Sequence, residues 1–267
     1  EYERLNTRYE FLFNQKNDLI KASENLYEVI NEMDEIMKEK FKTTFENISL
    51  EFSKVFKTMF KGINEETIEE IVRILEMEKY AEEENVPIIE KQSIAYIMKY
   101  IQDNNIKSIL EIGSAIGYST ILMASAKTDV YVTTIERDEK RYMQCLKNVK
   151  ECEMDKKINV VYQDALELNL PEDTKFDMIF IDAAKGQYTR FFEKYKYFLK
   201  DNGTIITDNI KFHGYVGHSD TIDSSNLKSL VQKIESYIDF LKNNTEFTTT
   251  FYDIGDGLSV SKKNPNE

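Results

Sequence analysis

The chain has 267 residues, of which 41% are hydrophobic, 31% charged and 12% aromatic, with 9 Gly, 3 Pro and no Trp. This composition excludes collagen-like, low-complexity and globally disordered proteins, and no apolar run reaches the roughly 18 residues that span a bilayer. The net charge is −13, with −2 in residues 1–62 and −11 in the rest. This negative charge argues against extended contacts with a nucleic-acid backbone. It is still compatible with a few basic residues around one pocket.

The two cysteines, Cys145 and Cys152, lie seven residues apart in a helical pattern. That spacing fits neither a zinc knuckle nor a redox pair, so we expect two reduced thiols. The expected location is the cytoplasm, with no membrane partner.

Residues 1–60 contain neither Gly nor Pro and carry two rows of apolar side chains at helical spacing. The first row repeats every seven residues and consists of Leu5, Leu12, Leu19, Leu26 and Met33. The second row consists of Phe41, Phe45, Phe52, Phe56 and Phe60, and Gly62 follows it. The heptad row predicts a coiled coil or a helix that lies on a partner. We therefore expect a helical segment over residues 1–62 and a separate domain over residues 63–267.

The first segment resembles one place in structural maintenance of chromosomes (SMC) proteins, where the returning coiled-coil arm enters the C-terminal half of the ATPase head. The matching stretches are residues 2–5, 17–19 and 51–60. The resemblance ends after about 60 residues, and the ABC-type signature and Walker B strand that follow in SMC proteins are absent. No P-loop of the form GxxxxGK[ST] occurs either, so we expect no ATP hydrolysis. A coiled-coil interaction protein of SMC type is one alternative for the whole chain.

From Asn64 onward the pattern changes to that of an α/β domain. Asn64 can cap a helix with an apolar stripe of Ile68, Ile71, Val72 and Leu75, and Val86-Pro87 separates it from a second amphipathic helix. Strand-like and helix-like stretches then alternate over residues 108–112, 120–126, 130–135, 140–152, 158–162, 176–181, 190–199, 204–207 and 227–242. This alternation predicts a Rossmann-like, doubly wound and mostly parallel sheet. Residues 248–253 and 258–261 flank Gly255-Asp256-Gly257, which predicts a terminal antiparallel hairpin.

A carboxylate stands at or just after the C-terminal end of each predicted parallel strand. These residues are Glu111, Glu136, Asp164, Asp182 and Asp208. Ligands of open α/β sheets bind beyond those strand ends. Carboxylates gathered there repel one another unless a ligand hydroxyl, an ammonium or a metal cation compensates. Their placement therefore predicts a ligand site along this edge.

The first of these strands leads into a glycine turn at Gly113 and Gly117. Such a turn lets the backbone approach a nucleotide-like ligand. It is not the dinucleotide fingerprint GxGxxG, because Ala115 and Tyr118 occupy the later glycine positions. Glu136 ends the next strand, where an acid can accept hydrogen bonds from ribose hydroxyls. The scarcity of basic residues here favours a nucleoside that carries no phosphate.

With these motifs, residues from about 65 to 262 resemble class I S-adenosylmethionine-dependent methyltransferases, and more narrowly the metal-dependent O-methyltransferases that include the catechol and caffeoyl-CoA enzymes. The matching pieces are residues 111–119, 134–137, 164–166, 180–188 and 207–209. Residues 182–188 and 254–261 are most similar to the bacterial tRNA 5-hydroxyuridine methyltransferases, which make 5-methoxyuridine at the wobble position. Ala184 stands where the plant-type enzymes commonly carry an acid. A small catechol-like or phenolic acceptor is the alternative.

The resemblance implies S-adenosylmethionine and Mg2+ as cofactors and assigns a role to each matching residue. It implies that S-adenosylmethionine is bound by Val86, Glu111, Gly113, Ser119, Glu136, Asp164, Ala165 and Asp182. Asp182, Asp208 and Asn209 would bind one Mg2+, and Lys185 and Asp182 would be catalytic, with Lys185 as the general base. The implied partner is the anticodon loop of tRNA or a small phenolic substrate, and the implied assembly is a homodimer. Substrate contact is expected from residues 211–218, and a few phosphate contacts from Lys185, Arg190 and Lys211.

Overall fold

The computed structural model describes Met37, Lys40 and residues 65–265. The chain divides into two units, Glu1–Thr67 and Ile68–Glu267. In the first unit, Met37 and Lys40 are helical and exposed. The two predicted apolar rows, the Asn64 cap and the predicted boundary between residues 62 and 63 lie outside the described residues, so these stay predictions.

Within the described residues, one seven-stranded sheet has the strand order β3-β2-β1-β4-β5-β7-β6. The strands are β1 Ser108–Ile112, β2 Tyr131–Glu136, β3 Ile158–Tyr162, β4 Phe176–Ile181, β5 Leu199–Thr207, β6 Phe247–Tyr252 and β7 Leu258–Lys263. The first five pair in parallel, and β7 lies antiparallel between β5 and β6. The Rossmann-like class with a terminal antiparallel hairpin is confirmed.

Six α-helices accompany this sheet in the described part of the chain. They are α1 Glu65–Glu83, α2 Lys91–Asp103, α3 Tyr118–Ser125, α4 Glu139–Glu151, α5 Tyr188–Tyr195 and α6 Ser225–Lys242. The start of α4 is fixed by Asp138, whose carboxylate accepts the Arg141 N–H and satisfies a free donor of the first turn. Among the described helices, none combines the length and the apolar character that crossing a bilayer requires.

The core lies in two layers, one on each face of the sheet. Ile109 and Leu110 are adjacent in β1, so their side chains point to opposite faces. Ile109 belongs to a layer that includes Ile97 of α2 and Ile121 of α3, whereas Leu110 belongs to a layer with Phe192 of α5. Helices therefore cover both faces, as a doubly wound sheet requires, and they leave the strand ends as the accessible edge.

Helix α1 packs differently from the sequence-based expectation. Ile71, Val72 and Leu75 are 41%, 47% and 55% exposed, whereas Met77 and Ala81 are buried. These three residues of the predicted apolar stripe are therefore exposed; the side chain of Ile68, the fourth member, lies outside the described part of the structure. Among the described side chains of α1, the buried ones are Met77 and Ala81, which lie four residues apart on one face of the helix, and Ile74 and Tyr80 pack beside them.

Both cysteines are free thiols, as expected. Cys145 is fully buried in α4, and burial raises the pKa of its thiol to about 12. Desolvation also raises the pKa of Cys152, which is partly exposed. A raised pKa leaves little thiolate at neutral pH, so both behave as structural side chains.

Candidate functional site

The sheet brings the predicted acidic residues to one edge. Along β3-β2-β1-β4-β5 the relevant residues are Asp164 after β3, Glu136 at the end of β2, Glu111 near the end of β1, Asp182 after β4 and Asp208 after β5. Because these strands are parallel, their carboxyl ends meet at the same edge. The predicted gathering of these carboxylates along one edge is therefore present in the fold.

Gly113 lies where the turns after β1 and β4 touch. Its φ is +95°, and a Cβ placed on it would lie 2.2 Å from the backbone oxygen of Asp182. No other residue type fits so close a backbone contact. Its N–H donates to the Ile135 carbonyl at 2.9 Å, which joins the turn to β2 as well. The glycine therefore allows three strand ends to converge.

Glu136 holds the glycine turn against β2. Its Oε2 accepts the Ala115 N–H at 2.9 Å, and its Oε1 accepts the N–H groups of Arg137 and Asp138 at 2.8 Å each. A carboxylate has about four acceptor positions, so three backbone donors leave room for one more hydrogen bond. The geometry is compatible with the predicted ribose contact, and it shows that Glu136 also orders the turn.

Glu111 is fully buried and ties α3 to β1. Its carboxylate accepts hydrogen bonds from Ser119 Oγ at 2.5 Å and from Thr120 Oγ1. Burial raises the pKa of Glu111 to about 7, against the opposing effect of the two hydroxyl donors. Ser119, another predicted cofactor residue, is therefore positioned by Glu111. Sequence reasoning missed Thr120, which follows Ser119 in the same helical turn.

Asp164 and Ala165 form an ordered turn after β3. The Asp164 Oδ1 accepts the Leu166 N–H at 2.8 Å, and its Oδ2 accepts from Arg137 Nη1 at 3.2 Å. The Leu166 N–H holds the pKa of Asp164 below its usual value, against desolvation, and the Arg137 cation adds to the lowering. The Ala165 carbonyl accepts from the Tyr195 hydroxyl at 2.6 Å. Asp164 and Ala165, both predicted to bind S-adenosylmethionine, thus lie in one hydrogen-bonded turn.

Val86 lies at the other side of the glycine turn. It lines a cavity of about 200 Å³ together with Ile116, which belongs to that turn, and with Asp138, which follows β2. The ion pair of Lys140 and Glu84, at 2.6 Å, links α4 to the segment before Val86. The structure therefore places Val86 beside the predicted cofactor residues.

The two aspartates after β4 and β5, Asp182 and Asp208, both have raised pKa values. Asp208 is fully buried, and neither of its carboxylate oxygens has a hydrogen-bond partner among the described residues. Burial, together with the neighbouring Asp182 charge, raises the pKa of Asp208 to about 8. Desolvation also raises the pKa of Asp182, whereas the Lys185 ammonium lowers it. An unpaired buried carboxylate is costly, and a cation beside it would remove that cost.

Asn209 follows Asp208 in a left-handed conformation, with a φ of +56° that Asn adopts more readily than most residues. Its Oδ1 accepts from Lys185 Nζ at 2.6 Å. Two carboxylates and one amide oxygen are hard ligands that suit Mg2+. Within the described residues, no group of three His, Cys, Asp or Glu side chains could hold a metal. A Mg2+ at Asp182 and Asp208 would therefore depend on the Asn209 amide as its third protein ligand, and the residues present fit that ion.

The loop that follows Asn209 is anchored by a residue that sequence reasoning missed. Asp256, in the turn between β6 and β7, accepts the His213 N–H through Oδ1 at 2.5 Å, and its backbone oxygen accepts the Lys211 N–H at 2.9 Å. Phe212 and His213 both have positive φ, so this loop needs such support. The ring of Phe212 lies 5.7 Å from Lys185 Nζ. The acid between two glycines was the available signal, but in the sequence alone it indicates only a turn.

Comparisons with known proteins place the domain among methyltransferases. Residues 59–264 match the model of a family described as O-methyltransferase. A Staphylococcus aureus protein assigned as a caffeoyl-CoA O-methyltransferase has a similar crystal structure, with a TM-score of 0.69 and 35% identity over 80% of this chain and 100% of that one. A catechol O-methyltransferase from Niastella koreensis is 31% identical over 150 residues, which is 54% of this chain and 65% of that protein.

A separate short stretch is similar to a chromosome-organising protein. It is 48% identical over 62 residues to the chromosome partition protein Smc of Bacillus subtilis, which covers 23% of this chain but 5% of that protein. Because the matched share is so small, the resemblance to SMC proteins is limited to one segment of this chain.

Proposed function

This chain belongs to the O-methyltransferase family and is an S-adenosylmethionine-dependent enzyme; on that premise we propose that it uses Mg2+ to methylate a ring hydroxyl, and that its acceptor is 5-hydroxyuridine at the wobble position of tRNA. One observation carries the metal part of the proposal. Asp208 is a fully buried carboxylate without a hydrogen-bond partner in the described structure, and it lies beside a second carboxylate. A bound divalent cation explains why such a pair is kept at the edge where ligands bind.

The cofactor part rests on the residues that surround the glycine turn. Glu136 would accept a ribose hydroxyl, and Asp164 and Ala165 would face the adenine. The methionine portion would lie beside Gly113 and Ser119. S-adenosylmethionine supplies the methyl sulfonium group, and Mg2+, when bound, acts as a Lewis acid that favours the ionised acceptor hydroxyl.

The chain's own contribution to the chemistry is alignment and proton handling. Asp182, Asp208 and Asn209 would hold the metal, and Asp182 also lies next to Gly113, between the cofactor region and the metal region. Lys185 Nζ donates a hydrogen bond to Asn209 Oδ1. As the proposed general base, the amine of Lys185 would take the proton of the acceptor hydroxyl. Alignment of the two reactants can contribute about 7–11 kcal/mol to lowering the barrier.

The choice of 5-hydroxyuridine rests on residues 182–188 and 254–261, which resemble the bacterial tRNA enzymes, and on Ala184 in place of an acid. A small catechol-like phenol is the second candidate, favoured by the 31% identity to a catechol O-methyltransferase. The proposal also includes a homodimer in the cytoplasm, which light scattering and cell fractionation would check.

One assay separates the candidates. The enzyme is incubated with labelled S-adenosylmethionine and total tRNA from a strain that lacks 5-methoxyuridine, in parallel with a panel of catechols. We expect label in tRNA, at a nucleoside that elutes with 5-methoxyuridine, and loss of that label in excess chelator. Label in the catechols and none in tRNA would replace the first candidate by the second.

A further inference from the structure

Two cations stand at the rim of the site, around the 3-10 turn Lys185–Gln187. Arg190 Nη1 donates to the side-chain oxygen of Gln187 at 2.9 Å. Lys233 of α6 reaches Gly186, and its Cδ and Nζ lie 3.3 Å and 3.7 Å from where a Cβ on that glycine would be. The two side chains therefore contact neighbouring residues of one turn, Gly186 and Gln187, four and five positions after Asp182.

Neither cation has a carboxylate partner within 4 Å in the part of the chain that the structure describes. Three other basic residues are paired with carboxylates, Arg137 with Asp164, Lys211 with Asp253 and Lys228 with Asp220, whereas Lys185 donates to the Asn209 amide oxygen. Arg190 and Lys233 are both exposed. Although the chain has a net charge of −13, these two unpaired cations beside one turn create a local positive potential that a ligand can approach.

We propose that Arg190 and Lys233 bind a phosphate group of the acceptor substrate. A guanidinium matches phosphate oxygens with paired donors, and an ammonium adds a point charge. The turn that they flank also carries Lys185, which contacts Asn209, so a phosphate bound here lies next to the proposed reacting site. Two cationic contacts are enough for the phosphates of one or two nucleotides but not for a long stretch of nucleic-acid backbone. This limit is consistent with the net negative charge of the chain. Lys211 differs from these two cations because it pairs with Asp253, so its expected phosphate contact stays a separate prediction.

This inference rests on the proposed function for the identity of the acceptor, but its test does not require turnover. Equilibrium binding of uridine and of uridine 5′-monophosphate is measured with the wild-type protein, with the double variant Arg190→Gln/Lys233→Gln and with Lys200→Gln. Lys200 is a matched control, since it pairs with Asp177 at the opposite end of β4 and β5. We expect the wild type and Lys200→Gln to bind the nucleotide roughly 3- to 10-fold more tightly than the nucleoside at low salt, and the double variant to lose that preference.

A wild-type protein without preference for the nucleotide, or a double variant that keeps the preference, would overturn the phosphate site. A second measurement separates this result from the fate of the proposed function. Methylation of a stem-loop RNA that contains 5-hydroxyuridine is followed at increasing salt, and we expect the double variant to show a higher KM and a weaker dependence of KM on salt. Preferential nucleotide binding without any methylation of that RNA would refute the proposed acceptor and leave the phosphate site standing.

Discussion

Lys185 Nζ donates a hydrogen bond of 2.6 Å to Asn209 Oδ1, which joins the turn after β4 to the turn after β5. The predicted general base and a predicted metal ligand are thus joined by a hydrogen bond. A change at either residue is expected to displace the other, so single substitutions here will not separate the metal role from the base role.

The close approach at Gly113 gives the first prediction. In Gly113→Ala the new Cβ would collide with the Asp182 backbone, whereas in Gly214→Ala it would meet no atom within 4 Å, although both glycines have positive φ. Both variants bear the cost of a left-handed alanine, about 1–2 kcal/mol. We expect only Gly113→Ala to lose measurable S-adenosylmethionine binding in calorimetry. Similar affinities in the two variants would show that the convergence of the two turns is not needed.

The second prediction concerns Glu136. Replacement by Gln keeps an acceptor for the turn amides but removes the charge, and replacement by Ala removes both. We expect Glu136→Ala to weaken S-adenosylmethionine binding by about 1.5–3 kcal/mol, the scale of a charge-assisted hydrogen bond, and Glu136→Gln to weaken it less. Calorimetry with unchanged affinity in Glu136→Ala would remove this residue from the cofactor site.

The third prediction is a pH dependence. Burial raises the pKa of Glu111 to about 7, above the value of about 4.3 in an unfolded chain. Ionisation is therefore harder in the folded protein, and the contribution of Glu111 to the free energy of unfolding falls as pH rises from about 4.3 to 7. Glu111→Gln cannot ionise, so we expect its stability relative to wild type to rise over this window by up to about 3 kcal/mol.

Urea denaturation without cofactor at pH 5 and pH 8 measures this difference. The exposed Glu83→Gln serves as the control, because its side chain lies 63% exposed in a surface ion pair. Parallel pH profiles for wild type and Glu111→Gln would mean that Glu111 is not the group that titrates.

The strands were predictable because each is a short apolar run bounded by turn residues. Residues 158–162 and 176–181 were predicted with the bounds that the structure has. Strand β5 was predicted too short, as residues 204–207, because its first part contains Lys200, Asp201 and Asn202, which are exposed. Asn202 has a φ of +61°, and the pairing with β4 shifts register nearby. A polar irregularity of this kind carries no apolar period for sequence reasoning to detect.

Other features depend on contacts between distant residues. The alignment of Asp182 and Asp208 follows from the parallel topology, so it could be predicted once the sheet was. The role of Asp256 could not be predicted from the sequence, because its partner His213 lies 43 residues away and only the fold brings the two residues together. The buried face of α1 depended in the same way on where its C-terminal half meets the core.

The fourth prediction concerns the two segments. A truncated protein that begins at Ile63 retains all but the first four residues of the stretch 59–264 that matches the O-methyltransferase family. We expect it to fold and to keep methyl transfer within a few-fold of the full chain, because no predicted site residue lies before Val86. Aggregation, or a Tm far below that of the full chain, would indicate instead that residues 1–62 cover apolar surface of the enzyme.

The central claim is that Asp208 belongs to a Mg2+ site that methyl transfer requires, and calorimetry of Mg2+ and S-adenosylmethionine with Asp208→Ala tests it most directly. The exposed Asp220→Ala is the control, since Asp220 lies outside the cluster with a side chain 98% exposed. We predict that Asp208→Ala loses Mg2+ binding and methyl transfer but keeps its affinity for S-adenosylmethionine within a few-fold, and that Asp220→Ala resembles wild type. Full methyl transfer by Asp208→Ala, or by the wild type in excess chelator, would contradict the claim.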